Sequence, residues 1–244
     1  MREKQGQFIA DLIPRRRQLR LRVLKALRRF SANKLIASIL MVCVLVAAWS
    51  FYRKVQLSPP SLEVITAADQ LSFYSHWETR LPEFRTDFIQ AAAEHGLEWP
   101  LLSAIGYQES KWRADAVSPT GVRGLMMLTR STAKELGVED RTAPDQSIRG
   151  GAQYLKYLLA RAPQELSEDE KLWFAVSSYN GGFRRVRTAF RQWSSIKGIE
   201  PSWHAFEQDM LGADDRTALK VSMLYTQRVR DFYNIAESLV RGGE

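Results

Sequence analysis

Residues 35–52, LIASILMVCVLVAAWSFY, run for 18 positions without a charged side chain. As an α-helix this stretch is about 27 Å long, close to the hydrocarbon thickness of a bilayer. No polar stripe recurs along it, so a half-buried core helix fits it poorly. Lys34 bounds the run on one side and Arg53 and Lys54 on the other. Trp49, Phe51 and Tyr52 cluster at its C-terminal end, where interfacial aromatics belong. The run is therefore predicted to be a single transmembrane anchor. Eleven Lys/Arg and two Asp/Glu precede it. The positive-inside rule then places residues 1–34 in the cytoplasm and residues 53–244 outside it. Val46-Ala47-Ala48 offers a competing signal-peptide cleavage site, but the basic segment is long for a signal n-region. An uncleaved anchor is expected.

The net charge of +8 belongs to the arm and not to the rest of the chain. Residues 1–34 carry +9, whereas residues 35–244 hold 24 basic and 25 acidic side chains. Phosphate binding needs a basic face on the fold itself, so a nucleic-acid partner is not expected. Arg15-Arg16-Arg17 and Arg28-Arg29 leave two readings for the arm: a basic amphipathic helix on the inner leaflet, or a segment that only fixes topology. Cys43 is the only cysteine, so no intramolecular disulfide can form. His76, His95 and His204 lack metal-ligand spacing, and neither a metal nor a cofactor is expected. Gly-x-Ser-x-Gly and Walker-type glycine loops are both missing from the sequence. Pro59-Pro60 and mixed polarity suggest a linker over 53–81.

Beyond the linker, residues 82–244 show helical stripes and no clean two-residue alternation. Pro82 opens a helix that Gly96 ends, and Pro100 sits in the first turn of another over about 99–113. Ser118-Pro119-Thr120-Gly121 is turn chemistry. Thr129 can cap a short helix stopping at Gly137, and Asp145 can cap a helix over about 146–161. Ser167 and Glu170 form a capping-box pattern opening a helix over about 168–180, which Gly181-Gly182 terminates. Arg184–Trp193 and about 214–240 complete an all-α domain with short connections.

Most carboxylates of this domain lie on polar faces or in first helical turns. Glu109 does not: Leu101, Ile105 and Glu109 share an i, i+4, i+8 stripe. An apolar surround disfavours the charged form and raises a carboxyl pKa. Such a group can serve as a general acid near neutral pH. Position alone also allows an ordinary, partly exposed Glu paired with Arg113.

Four segments add a resemblance. Tyr107-Gln108-Glu109-Ser110 resembles the Glu-Ser signature of the lysozyme-like SLT domain of lytic transglycosylases. The stretch from Ser118 to Thr129 is similar to that family's second motif, and Ser177 to Gly182 to its third, usually Ala-Tyr-Asn-x-Gly. Asp145 to Leu155 matches a further segment. The four stand in the family's order and spacing and cover about residues 84–235. The murein transglycosylase F branch is the part of the family the chain resembles most. Met127 stands where Gln is common, as it does in that branch, and Ser178 where Ala is usual.

The resemblance implies an all-α, lysozyme-like SLT domain behind the anchor. It also implies cleavage of the β-1,4 bond between N-acetylmuramic acid and N-acetylglucosamine in peptidoglycan strands, leaving 1,6-anhydromuramoyl ends. Glu109 is the implied acid and base. Ser110, Gly124, Leu125, Met126, Met127, Tyr179, Asn180 and Tyr225 are the implied substrate-binding set. Several keep a plainer alternative: backbone capping for Ser110, core packing for the methionines, Tyr179 and Tyr225, and a helix C-cap for Asn180. Tyr225 lies on the stripe Ala218, Val229, Phe232, and Tyr233 competes with it for the last motif. A hydrolytic muramidase with Asp115 as second carboxylate and a non-catalytic glycan-binding scaffold are the alternative functions.

Overall fold

A computed structural model describes Met41 and residues 65–198, 200–212 and 218–243. The basic arm, the apolar run apart from Met41 and residues 53–64 lie outside this set. Among the described residues, no helix is long and apolar enough to cross a membrane.

The first helix, α1 (Ala67–Thr79), occupies much of the expected linker. Thr66 and Asp69 close a reciprocal capping box at its start. Phe73 is its one buried side chain and stacks on Phe232 with centroids 5.1 Å apart. Trp77 stacks on Trp99 and Asp69 pairs with Arg228, so residues 67–79 are part of the domain, with Phe73 as their one fully enclosed side chain.

Helix α2 (Leu81–His95) carries Pro82 in its first turn and buries Leu81, Phe84, Phe88, Ala91 and Ala92, a regular inward face. Helix α3 (Trp99–Ser110) is enclosed on nearly every side, with every residue from Pro100 to Tyr107 buried. At roughly 1.5–3 kcal/mol for each large apolar side chain taken from water, Leu102 and Ile105 tie this helix to the centre of the domain. After α3 come α4 (Arg130–Glu135), α5 (Pro144–Leu159), α6 (Glu168–Gly181), α7 (Phe183–Lys197), α8 (Trp203–Gly212) and α9 (Ala218–Gly242). The long α9 packs against both α3 and α6, and α2 packs against α5. Gly106 lets α3 lie close to α2 and the following loop, because a Cβ there would come within 2.8 Å of Phe88 and 3.1 Å of the Met126 sulfur.

The all-α expectation holds, with corrected boundaries. Thr129 caps α4 and the Ser167–Glu170 box opens α6 as the sequence indicated. Asp145 does not cap α5: Ala143 is the N-cap, Pro144 is the first helical residue, and Asp145 sits in the first turn. Helix α7 runs to Lys197, and α8 was not anticipated. Most consequential, α3 stops at Ser110 instead of continuing to about position 113, because Lys111 and Trp112 take left-handed backbone conformations at φ 58° and 54°.

Candidate active site

Glu109 sits in the last turn of α3, immediately before this abrupt end. The turn is held from below. Trp112 is buried and donates its indole N–H to the Ser103 carbonyl at 2.9 Å, while Arg80 donates to the Lys111 carbonyl at 3.0 Å. Those bonds offset the strain of two consecutive left-handed residues. Ser110 is buried and serves the backbone, donating to the Gly106 carbonyl and accepting from the Arg113 amide. Its hydroxyl stabilises the end of the helix.

Tyr225 reaches Glu109 from α9, donating its hydroxyl to the carboxylate at 2.6 Å. Glu109 keeps partial exposure, yet protein crowds around it enough for burial to push its carboxyl up to about 7. The Tyr225 hydrogen bond acts in the opposite direction by favouring the ionised form. Tyr225 is itself raised well above the ordinary tyrosine range, first by burial and then by the Glu109 charge, so it stays protonated and acts as a donor.

The loop after α3 supplies the second wall. Ser118 organises its turn, accepting from the Val122 amide through its hydroxyl. Leu125 and Met126 are fully buried. The Met126 backbone is pinned on both sides: its N–H donates to Ser147 and its carbonyl accepts the Tyr179 hydroxyl at 2.9 Å. The Leu125 and Met126 side chains both pack in the core. Met127 differs, standing partly exposed at a φ of 48°. Gly124 adopts φ 84°, and a Cβ there would collide with the Arg141 carbonyl. The glycine thus allows close packing of two backbone segments.

Tyr179 reaches Met126 from the last turn of α6. Its hydroxyl is held far above the usual range by burial and then by the Glu109 charge, and its ring lies 5.1 Å from Tyr154. Asn180 follows it and is exposed. The last turns of α3 and α6, the first half of α9 and one loop therefore bring Glu109, Tyr179, Tyr225 and the Met126 backbone together, with partly exposed Met127 and exposed Asn180 as neighbours of these groups in the chain. Tyr233 points elsewhere and donates to Glu98 at 2.5 Å, so of the two tyrosines it is Tyr225 that bonds Glu109. Asp115 turns to solvent, 3.9 Å from Arg113.

A supporting group escaped the sequence reading. Arg228, one turn beyond Tyr225 on α9, donates to Gln108 at 3.1 Å and to Asp69 on α1 at 3.0 Å. Its guanidinium holds the Asp69 carboxyl far below the ordinary range. The only sequence signal was spacing: Arg228 is three positions from Tyr225, and Gln108 adjoins Glu109.

Comparison with known proteins agrees with this geometry. Residues 87–200 match the family model described as Transglycosylase SLT domain. Membrane-bound lytic murein transglycosylase F of Serratia proteamaculans is 42% identical over 173 residues, covering 71% of this chain and 35% of that protein. The protein of the same name from Pectobacterium atrosepticum is 48% identical over 135 residues, covering 55% of this chain and 28% of that one. The chain thus spans about a third of the length of these curated relatives. An inactive mutant of the lytic transglycosylase Slt from Pseudomonas aeruginosa superposes with a TM-score of 0.51 at 23% identity, covering 64% of this chain and 24% of that one. That likeness shows the lysozyme-like helical fold. Residues 87–200 of this chain, with Glu109 at the end of their central helix, therefore belong to the transglycosylase SLT domain family.

Proposed function

We propose that this protein is a peptidoglycan lytic transglycosylase. It cuts the β-1,4 bond between N-acetylmuramic acid and N-acetylglucosamine and leaves 1,6-anhydromuramoyl ends. The observation that carries the reading is a single carboxyl pushed up to about 7 and gripped by a tyrosine hydroxyl at 2.6 Å. Near neutral pH such a group is present in both forms, so one residue can give a proton and then take one back.

The steps balance on that residue alone. Protonated Glu109 gives its proton to the glycosidic oxygen as the bond from that oxygen to the muramic C1 breaks. The N-acetylglucosamine 4-hydroxyl leaves with the proton. The neighbouring acetamido carbonyl stabilises the positive C1. The muramic 6-hydroxyl then closes onto C1 and gives its proton to the Glu109 carboxylate, which restores the acid. Attack from within the same sugar has a high effective concentration, so no second carboxylate has to hold a water. Most glycosidases pair two carboxylates across the bond. Asp115 faces solvent and is badly placed for such a role.

Tyr225 orients Glu109 in this scheme and stabilises its ionised form. Met127 and Asn180 line the strand, Tyr179 fixes the Met126 backbone beside it, and Ser110, Gly124, Leu125 and Met126 shape the wall. Residues 35–52 anchor the chain in the inner membrane with the catalytic domain in the periplasm. The test is mass spectrometry of sacculi digested by the full chain. Anhydromuramoyl ends that vanish in Glu109→Gln are expected. Reducing ends would assign a hydrolase, and unchanged turnover in Glu109→Gln would remove Glu109 from the chemistry.

A further inference from the structure

Helix α7 carries four arginines within eight residues and no carboxylate, in a chain whose positive charge otherwise lies in the arm. Arg184, Arg187 and Arg191 follow at i, i+3 and i+7, away from the buried Val186, Phe190 and Trp193. Among the described residues, none of the four arginines forms an ion pair. Arg185 donates to the Gly181 carbonyl at 3.0 Å and Arg187 lies 5.7 Å from the Phe183 ring centroid. Arg184 is exposed and unpartnered.

At the start of this stripe is an open hollow of about 690 Å³, lined among others by Gly181, Gly182, Arg184, Arg185, Thr188 and Gln192. That volume is within the range of small-ligand sites. Its lining begins at Gly181, one residue past Asn180 in the chain. Two guanidiniums, a hydroxyl and a carboxamide suit a ligand that combines carboxylates with amides, because guanidinium pairs with carboxylate through parallel hydrogen bonds. Like charges this close repel one another, and an anionic partner relieves that repulsion. Peptidoglycan supplies such a ligand: short stem peptides with free carboxylates hang from the muramyl lactyl groups.

We propose that this hollow and the arginine stripe bind the carboxylate-bearing stem peptide of the strand being cut, an inference that rests on the peptidoglycan reading above. Selection for stems is then built into α7 and is separate from the chemistry at Glu109.

The experiment uses the full chain in detergent on two substrates, intact sacculi and glycan strands stripped of their stems by an amidase. In Arg184→Glu, KM for stem-bearing strands is expected to rise roughly 5- to 10-fold, the scale of one exposed charge contact reversed, with kcat held within about twofold. KM for stripped strands stays unchanged, and Arg184→Lys keeps most of the wild-type value. Raising the salt in wild-type assays raises KM for stem-bearing strands alone, a measurement that needs no variant to fold. Equal effects on both substrates, or no effect on intact sacculi, overturn the proposal while leaving the transglycosylase reading intact. Loss of binding to vesicles of anionic phospholipid with unchanged KM would also overturn it, assigning the stripe to a lipid surface. If the wild type releases no anhydro ends from either substrate, the reading beneath it fails instead.

Discussion

Two effects of opposite sign meet at Glu109, and their balance sets how the protein responds to pH. Burial raises the carboxyl to about 7 and the Tyr225 hydrogen bond pulls it down. The acid form is lost as pH rises through about 7, so kcat/KM is expected to fall on that alkaline side. Tyr225→Phe removes the bond that favours ionisation. Its alkaline limb should move to higher pH while the rate drops about 10- to 100-fold, because the acid is no longer oriented. The same shift bears on stability. Between the ordinary carboxyl value of 4.5 and about 7, the folded chain binds more protons than the unfolded chain, so stability declines as pH rises through that window. Glu109→Gln has no proton to lose and keeps an acceptor for Tyr225. It should melt a few degrees higher than wild type at pH 8, from roughly 1–3 kcal/mol of relieved penalty, and equal it at pH 4. Ser178 is fully buried and its hydroxyl lacks a partner among the described residues. Ser178→Ala, the residue usual in the family motif, is expected to add about 1 kcal/mol in denaturant titration without changing turnover.

Elements, rather than single residues, decide where the site lies, and their legibility in the sequence varied with how local their causes are. Capping at Thr129 and Ser167 was readable because side chain and amide are three residues apart. The stripe Leu101, Ile105, Glu109 was readable because α3 is helical along that whole span. The end of α3 was not, since Lys111 and Trp112 are turned left-handed by bonds to Arg80 and Ser103, 31 and 9 residues away. Helix α1 escaped for a related reason: one buried phenylalanine and contacts to distant residues such as Trp99 and Arg228 dock it, with no stripe of buried apolar side chains. That docking has a consequence, because Asp69 of α1 holds Arg228, which holds Gln108 beside Glu109. Arg228→Leu is expected to cost about 1–3 kcal/mol of stability, as it strands a partly buried carboxylate and a carboxamide. It should also move the alkaline limb in the direction of Tyr225→Phe, with Arg228→Lys restoring part of the rate. A stability loss with an unmoved pH profile would confine Arg228 to a structural role.

At the scale of the whole chain, the sequence separates a basic arm, an apolar run and a charge-balanced remainder, and the helical domain accounts for the last. Composition and order made the SLT resemblance legible, and residues 87–200 bear it out. How each motif residue packs was less legible. Leu125 and Met126 are core and Gly124 packs backbone on backbone, roles set by Arg141, Ser147 and Gly151, which follow them in the chain. The proposed anchor makes its own prediction: full-length protein should stay in the membrane pellet through an alkaline carbonate wash, and release by the wash would replace the span with peripheral attachment. The proposed chemistry turns on one equilibrium, the ionisation of Glu109, and the most direct measurement is its titration. Carboxyl carbon resonances of the full chain, followed by NMR with glutamate labelled at the side-chain carboxyl and assigned by Glu109→Gln, are expected to show a midpoint near 7 for this residue. A midpoint near 4.5, the value of a freely hydrated glutamate, would contradict a shielded acid at position 109.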